Sequence, residues 1–286
     1  MGVNHNRIAR QVASALLIAA LAGVLASCKT TQSMDTTGSL ASTVPRSEED
    51  WRKQAEFWAP RYQSHPHDPG IAISYAQALR MSDQRSQAAA VLQRTSMEHP
   101  FDRAVLGAYG RALADIGNYQ QALEVLGRAH TPDQPDWRIL SAQGAVLDQM
   151  GRHTDAQRYY ASALRIEPND PTILSNLGLS YALSRDLVRA EETLRRAAAQ
   201  QSVDPRVRQN LALVVGLQGR FAEAETIARA DLPEEEAAAN VTYLRQMLAQ
   251  QQELNRPGAP AKPVARQAKA PKPKRLGPTV IHAAGN

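Results

Sequence analysis

His65-Pro66-His67-Asp68 places two imidazoles and a carboxylate within one short run, donor types that zinc accepts. Pro66 cannot continue a helix and biases the residue before it away from helical geometry, so the run reads as a turn leading into Pro69 rather than a metal site. Ser, His and Asp occur along the chain with no nucleophile elbow and no triad spacing, and no glycine loop is built to cradle a phosphate. A lone cysteine, Cys28, excludes an internal disulfide framework. Neither catalysis, a resident metal nor a cofactor is expected.

Cys28 has a different context. Arg7 and Arg10 precede an apolar run from Val12 to Val24, too short to span a bilayer comfortably but suited to the core of a signal peptide. The run ends in Leu25-Ala26-Ser27-Cys28, which resembles a bacterial lipobox, where the thiol accepts diacylglycerol. The resemblance implies a lipoprotein signal peptide over 1–27, lipid attachment at Cys28, and a membrane anchor of two or three acyl chains. Asn6 stands where a myristoylation motif wants Ser or Thr. Lys29, rather than Asp, follows the cysteine; by resemblance to Gram-negative lipoproteins this implies the periplasmic face of the outer membrane. Residues 28–46 are rich in Ser, Thr and Gly and read as a flexible tether.

The rest of the chain must position whatever binds. Aromatics are only 5% of residues while Ala and Leu abound, a balance that favours helices over sheets. Trp137 to Asp170 reads as two amphipathic helices around Gly151, with small residues at Gly144, Ala156 and Ala163 and bulk at Leu140, Leu147, Tyr160 and Leu164. One such hairpin cannot bury its apolar face, so it requires neighbours. A period of 34 residues supplies them, with units starting at Pro69, Arg103, Trp137, Pro171 and Pro205. The twentieth position is alanine in all five units, at Ala88, Ala122, Ala156, Ala190 and Ala224; the eighth is always small, at Ala76, Gly110, Gly144, Gly178 and Ala212. These two positions are expected to face each other across the hairpin. Gly117, Gly151 and Gly219 mark the turn between helices, with Asp83 and Arg185 in the other two units. Ser47 to Ser64, capped by Ser47, reads as the second helix of a degenerate leading unit, with Trp51, Phe57 and Trp58 packing inward. Glu234 to Leu254 reads as a closing helix that lays Val241, Leu244 and Leu248 on the last hairpin; its Glu234-Glu235-Glu236 suits a helix start.

These five in-register units resemble the tetratricopeptide repeat. The resemblance implies an all-α, right-handed α-solenoid of about five repeats with flanking capping helices over 47–254. In that family the groove is lined by positions two, five, six, nine, twelve and thirteen of each first helix. In this sequence the candidates are Arg111, Arg138, Asp148, Asn176, Leu179, Arg206, Gln209 and Asn210, a mixture suited to an extended peptide or partner helix. Chaperone-tail binders of the family use a five-residue clamp for a terminal carboxylate. Asn176 and Arg206 match it, but Ser141, Ala145 and Asn210 do not.

The charge of +5 belongs to the end of the chain, because 255–286 carries seven Lys and Arg and no acid while everything before it sums to −2. This Pro-rich tail reads as disordered and basic, available to an anionic surface but not to nucleic acid in an exported protein. Lipobox, tether and repeats together resemble the TadD-type lipoproteins of tight-adherence (Flp) pilus assembly. That implies a non-enzymatic, pilotin-like adaptor for a secretin or pilus machine component. A scaffold for outer-membrane protein insertion or for cell-wall enzyme complexes is the alternative.

Overall fold

The computed structural model describes residues 47–200 and 203–254. The signal peptide over 1–27, Cys28, the tether over 28–46 and the tail over 255–286 lie outside the described residues. Twelve helices are described: α1 Glu48–Ser64, α2 Pro69–Met81, α3 Arg85–Glu98, α4 Arg103–Asp115, α5 Tyr119–Arg128, α6 Trp137–Gln149, α7 His153–Ile166, α8 Pro171–Leu183, α9 Leu187–Ala198, α10 Pro205–Leu217, α11 Phe221–Ala228 and α12 Glu234–Leu254. Among the described residues, extended pairing is limited to one isolated bridge, Thr131 with Gln134, and no helix is long and apolar enough to cross a membrane. The chain divides into two compact units, with α1–α7 in 47–168 and α8–α12 in 169–254.

Each first helix begins on an aspartate at the end of the preceding period. Asp68, Asp102, Asp136, Asp170 and Asp204 accept from the backbone N–H of Ile71, Ala104, Arg138, Ile173 and Arg206 at 2.7–2.9 Å. These side chains satisfy N–H groups that the helix itself leaves open. Ser47 caps α1 in the same way, in a reciprocal box with Asp50. Between paired helices the chain enters the left-handed region at Gly117, Gly151 and Gly219, and also at Asp83 (φ 64°) and Arg185 (φ 67°). The turn is therefore the same in all five units, and two of them hold it with a side chain present.

The hairpin interface differs in detail from the expected pairing of positions eight and twenty. In the three units with glycine at the eighth position, that position meets the side chain at position twenty-four. A Cβ built on Gly144 would lie 2.7 Å from the Tyr160 ring, one on Gly110 2.5 Å from Leu126 Cγ, and one on Gly178 2.6 Å from Leu194 Cγ. Position twenty contributes backbone: the Ala122 and Ala190 carbonyls are 3.3 Å from those same points. Ala88, Ala122, Ala156, Ala190 and Ala224 are all fully buried. Small residues at both positions thus let one large side chain lie between the helices.

In 47–168 one cluster runs from Ala55 through Leu79, Leu92, Leu113 and Leu126 to Ile139 and Val146. Trp51 and Trp58 of α1 pack against it. Phe57 departs from the expected inward packing: it is 47% exposed, and the Arg61 guanidinium lies 3.4 Å from its ring centroid. In 169–254, Val241 joins the α8–α11 cluster, and Leu244 packs with Leu213, Leu217 and Leu248. Leu244 occupies the space beside Gly216 that a Cβ would need.

Neighbouring elements of 169–254 are also tied by charge. Glu191 on α9 accepts from Arg195 and Arg220 at 2.7 Å and from Gln218 at 2.8 Å. Donation from Arg220 first, then from Arg195 and Gln218, holds its carboxyl down at about 2 against an ordinary 4.5. A depressed folded pKa means that this contribution is present above about 4.5 and is lost as pH falls toward 2.

Two measurements follow from these contacts. Gly144→Ala should lower stability by about 1–3 kcal/mol, because overpacking against Tyr160 outweighs the roughly 1 kcal/mol that alanine gains over glycine in a helix. Gly127→Ala should do the reverse, since the nearest neighbour of a Cβ there, Gln143 Nε2, is 3.9 Å away. Urea unfolding in which both variants shift the same way would contradict the assigned interface. Glu191→Gln should be less stable at neutral pH and should flatten the loss of stability between about pH 4.5 and 2; an unchanged acid limb would remove Glu191 from the link.

Candidate functional site

In 47–168 the first helices α2, α4 and α6 touch in sequence, so α4 lies between the other two. Their contact is close because Gly107 has no side chain: a Cβ there would meet Ile139 Cδ1 of α6 at 2.6 Å. One turn further along α4, Arg111 is half-buried, with its Nη1 3.7 Å from the position of that missing Cβ. On α2, Arg80 donates through Nε to Asp115 Oδ2 at 2.5 Å, linking α2 to α4. On α6, the Arg138 guanidinium lies 4.4 Å from the centroid of the Trp137 ring. Its Nε is buried without a hydrogen-bond partner among the described residues, as is the hydroxyl of Ser141, a residue only 1% exposed.

Arg111 makes no ion pair with any described residue, although carboxylates are close. Burial is the first cause that pushes its pKa down to about 10, and Arg80 and Arg138 add repulsion. Asp136 and Asp115 act the other way without cancelling these effects. Asp115 is bonded to Arg80, and Asp136 caps α6 through the Arg138 N–H. The guanidinium thus stays charged at neutral pH in a place that disfavours its charge.

Asp148, expected in the groove by its position, is engaged inside its own hairpin. It is 8% exposed, lies 2.8 Å from His153 Nδ1 and accepts from the Tyr160 hydroxyl at 3.1 Å. A tyrosine buried between helices needs a partner for its hydroxyl, and Asp148 provides one. Burial and Asp148 together push the Tyr160 pKa well above 10.

The remaining expected residues lie in 169–254. Asn210 on α10 donates to Ser175 Oγ on α8 at 3.1 Å, joining adjacent first helices. Asn176 is 9% exposed, and its Nδ2 has no hydrogen-bond partner among the described residues. Gln209 is buried and Leu179 half-buried. Arg206 is exposed and folds back on its own capping residue, donating to Asp204 at 2.5 and 3.0 Å. Arg111 and Arg138 therefore share one cluster in the first unit, while Asn176, Gln209 and Asn210 share the α8–α10 face of the second. Arg80, Asp115 and Ser175 complete these groups. They occupy positions twelve, thirteen and five, and the repeat register applied evenly to every unit would have found them.

The hairpins, their turns and their stacking define a tetratricopeptide-repeat fold. A family model described as tetratricopeptide repeat matches residues 149–214, and one described as anaphase-promoting complex, cyclosome, subunit 3 matches residues 52–129. The crystal structure of the APC/C hetero-tetramer Cut9-Hcn1 is similar with a TM-score of 0.57 at 17% identity, over 71% of this chain and 40% of that one. The chain thus spans well under half the length of that relative. A tetratricopeptide repeat protein from Parabacteroides merdae ATCC 43184 is similar with a TM-score of 0.54 at 13% identity, over 72% of this chain and 83% of that one. No curated protein matches the sequence.

Replacing Arg111 by Met keeps an unbranched chain and removes the disfavoured charge. Arg111→Met should raise the melting temperature, by about 1 kcal/mol or more in stability, the scale on which apolar replacement of buried ionic groups stabilises. A lower melting temperature would show that Arg111 contributes to the fold through contacts that its charge makes.

Proposed function

We propose that this chain is a lipid-anchored adaptor whose first-helix faces hold segments of a partner protein during assembly of a tight-adherence pilus or its secretin. The observation that carries the reading is a set of buried hydrogen-bonding groups without partners on the helices whose faces such repeats are expected to use for binding. Arg138 Nε, Ser141 Oγ and Asn176 Nδ2 have no hydrogen-bond partner among the described residues, at positions two, five and six of their units. A buried donor without an acceptor costs about 1–3 kcal/mol, and the backbone carbonyls of a peptide would supply acceptors. The half-buried Leu179 beside Asn176 adds an apolar surface for a side chain of the same segment.

Anchoring rests on Leu25-Ala26-Ser27-Cys28 and the basic and apolar residues before it. Acyl chains on Cys28, with Lys29 after it, would hold the repeats at the periplasmic face of the outer membrane. The seven-charge tail over 255–286 would add attraction to an anionic surface. The assignment to pilus assembly rests on the order of these parts, lipobox, tether and repeats.

Anchoring and partner binding are tested separately. Cys28→Ala should move the protein out of the outer-membrane fraction; unchanged fractionation would remove the anchor. Asn176→Ala combined with Arg138→Glu should cut crosslinking to a secretin or pilus component by roughly tenfold, or about 1.4 kcal/mol, with the far-ultraviolet spectrum unaltered. Undiminished crosslinking to such a component would take these faces out of the binding site.

A further inference from the structure

We infer that the turn holding Phe101 is a second lipid contact of the first unit, laid against the bilayer that carries the anchor. The inference rests on the anchored reading above and extends it from the acyl chains to the repeats. Phe101 is 89% exposed, and Met97, in the last turn of α3 just before it, is 70% exposed. The other two phenylalanines each have a guanidinium over the ring, Arg61 at Phe57 and Arg245 at Phe221; Phe101 has none among the described residues. Its backbone is nevertheless fixed. Asp102 accepts from the Ala104 and Val105 N–H groups at 2.8 and 3.0 Å, and the Pro100 carbonyl accepts from Arg128 Nη2 at 2.9 Å. His99 Nε2 lies 2.9 Å from the His67 carbonyl, and Arg103 donates to Gln134 Oε1 at 2.6 Å. The turns at 65–68, 99–102 and 129–136 are thus joined along one edge, and that edge holds Phe101 out in water.

Area, charge and reach select the occupant. An aromatic side chain buries about 150–250 Å², so Phe101 with Met97 falls well short of the roughly 800 Å² per partner that a stable protein interface needs. A second copy of the chain would not stay bound. A lipid interface sets no such threshold, because single apolar side chains enter the headgroup boundary and an anchor keeps the surface close. Arg103 and Arg128 stand beside this turn, donate to neutral acceptors and form no ion pair with a described residue. Cations next to an exposed ring favour anionic headgroups, and they repel the chain's own basic segment over 255–286. From Cys28 to Arg46 there are 19 residues, a contour of about 65 Å. The helix from there to the turn at 65–68, α1, has 17 residues and is about 25 Å long. The edge that carries Phe101 can therefore reach the surface from which the chain starts.

The test places the full chain, with its acyl chains, in vesicles of phosphatidylethanolamine and phosphatidylglycerol whose acyl chains carry bromine, and records tryptophan emission. Phe101→Trp should add emission that is shifted to the blue and quenched by bromine, above the background of Trp51, Trp58 and Trp137. Ile116→Trp is the control, since Ile116 is 37% exposed and lies at the other end of α4, about 20 Å away; its added emission should be unaffected. Arg103→Gln combined with Arg128→Gln should reduce the quenching of Phe101→Trp to the level found in brominated phosphatidylcholine. Equal quenching of the two tryptophan variants, none in Phe101→Trp, or indifference to both arginines would overturn the inference. Self-association of the chain that is lost in Phe101→Ser would assign the edge to a second copy and overturn it as well. A chain that fails to float with the vesicles while Cys28 is intact would count against the anchor and the inference together. A floating chain with unquenched Phe101→Trp would count against the inference alone.

Discussion

The separation of the two helices within a hairpin is the constraint on which everything else depends. In the three middle hairpins a missing side chain at position eight lets the bulky side chain at position twenty-four lie across the interface, and a fully buried alanine sits at position twenty of every hairpin. Interiors packed to crystal-like density leave little room for adjustment. The unit starting at Trp137 shows what this costs in polarity. Tyr160 stands where three other units have leucine, its ring fills the space beside Gly144, and its hydroxyl reaches beyond the apolar layer to Asp148. The carboxylate at position twelve is then committed to the hairpin and withdrawn from the surface.

Once the hairpin is fixed, the first helices fall into contact with one another, and residues 34 or so positions apart become neighbours. Arg80 reaches Asp115 across 35 residues, and Asn210 reaches Ser175 across the same interval. Both links join side chains of successive first helices, and both use up groups that the sequence offers to a ligand. What stays unpaired among the described residues is a smaller set than the polar residues on that face: Arg111, which makes no ion pair, with the buried Nε of Arg138 and hydroxyl of Ser141 in one unit, and the buried amide of Asn176 in the other. Pairing between neighbours thus sorts polar residues that link helices from those left without a partner.

Much of the fold was legible because its strongest signals are steric. The period and the small positions are tied to close inter-helix contacts, and the left-handed turn at Gly117, Gly151 and Gly219 is the backbone conformation that glycine adopts most readily. The aspartates at 68, 102, 136, 170 and 204 were an equally regular signal, readable from their place immediately before each first helix, but they emerge as caps only with the structure. The site was less legible. Position alone gave Arg206 and Asp148 the same standing as Arg111, and it could not show that Arg206 would turn back to Asp204 or that Tyr160 would claim Asp148. Those outcomes depend on which partner lies nearest after packing, and spacing carries no information about that. Phe57 failed for a related reason: on a helix with acids and bases on most sides, Arg61 offers its ring an exposed alternative to the core.

Arg111 illustrates why an unpaired cation can persist in such a fold. Each hairpin obtains its stability from the position-eight contact, from an aspartate cap and from its neighbours, so a locally unfavourable charge on the first-helix face can be carried without loss of the fold. The same charge in a lone helical pair, with no neighbours to share its burial, would be a larger fraction of the total. A repeated fold therefore separates two demands that compete in a small domain: the inter-helix contacts hold the structure, and the first-helix faces remain free to hold groups in states that only a ligand makes favourable.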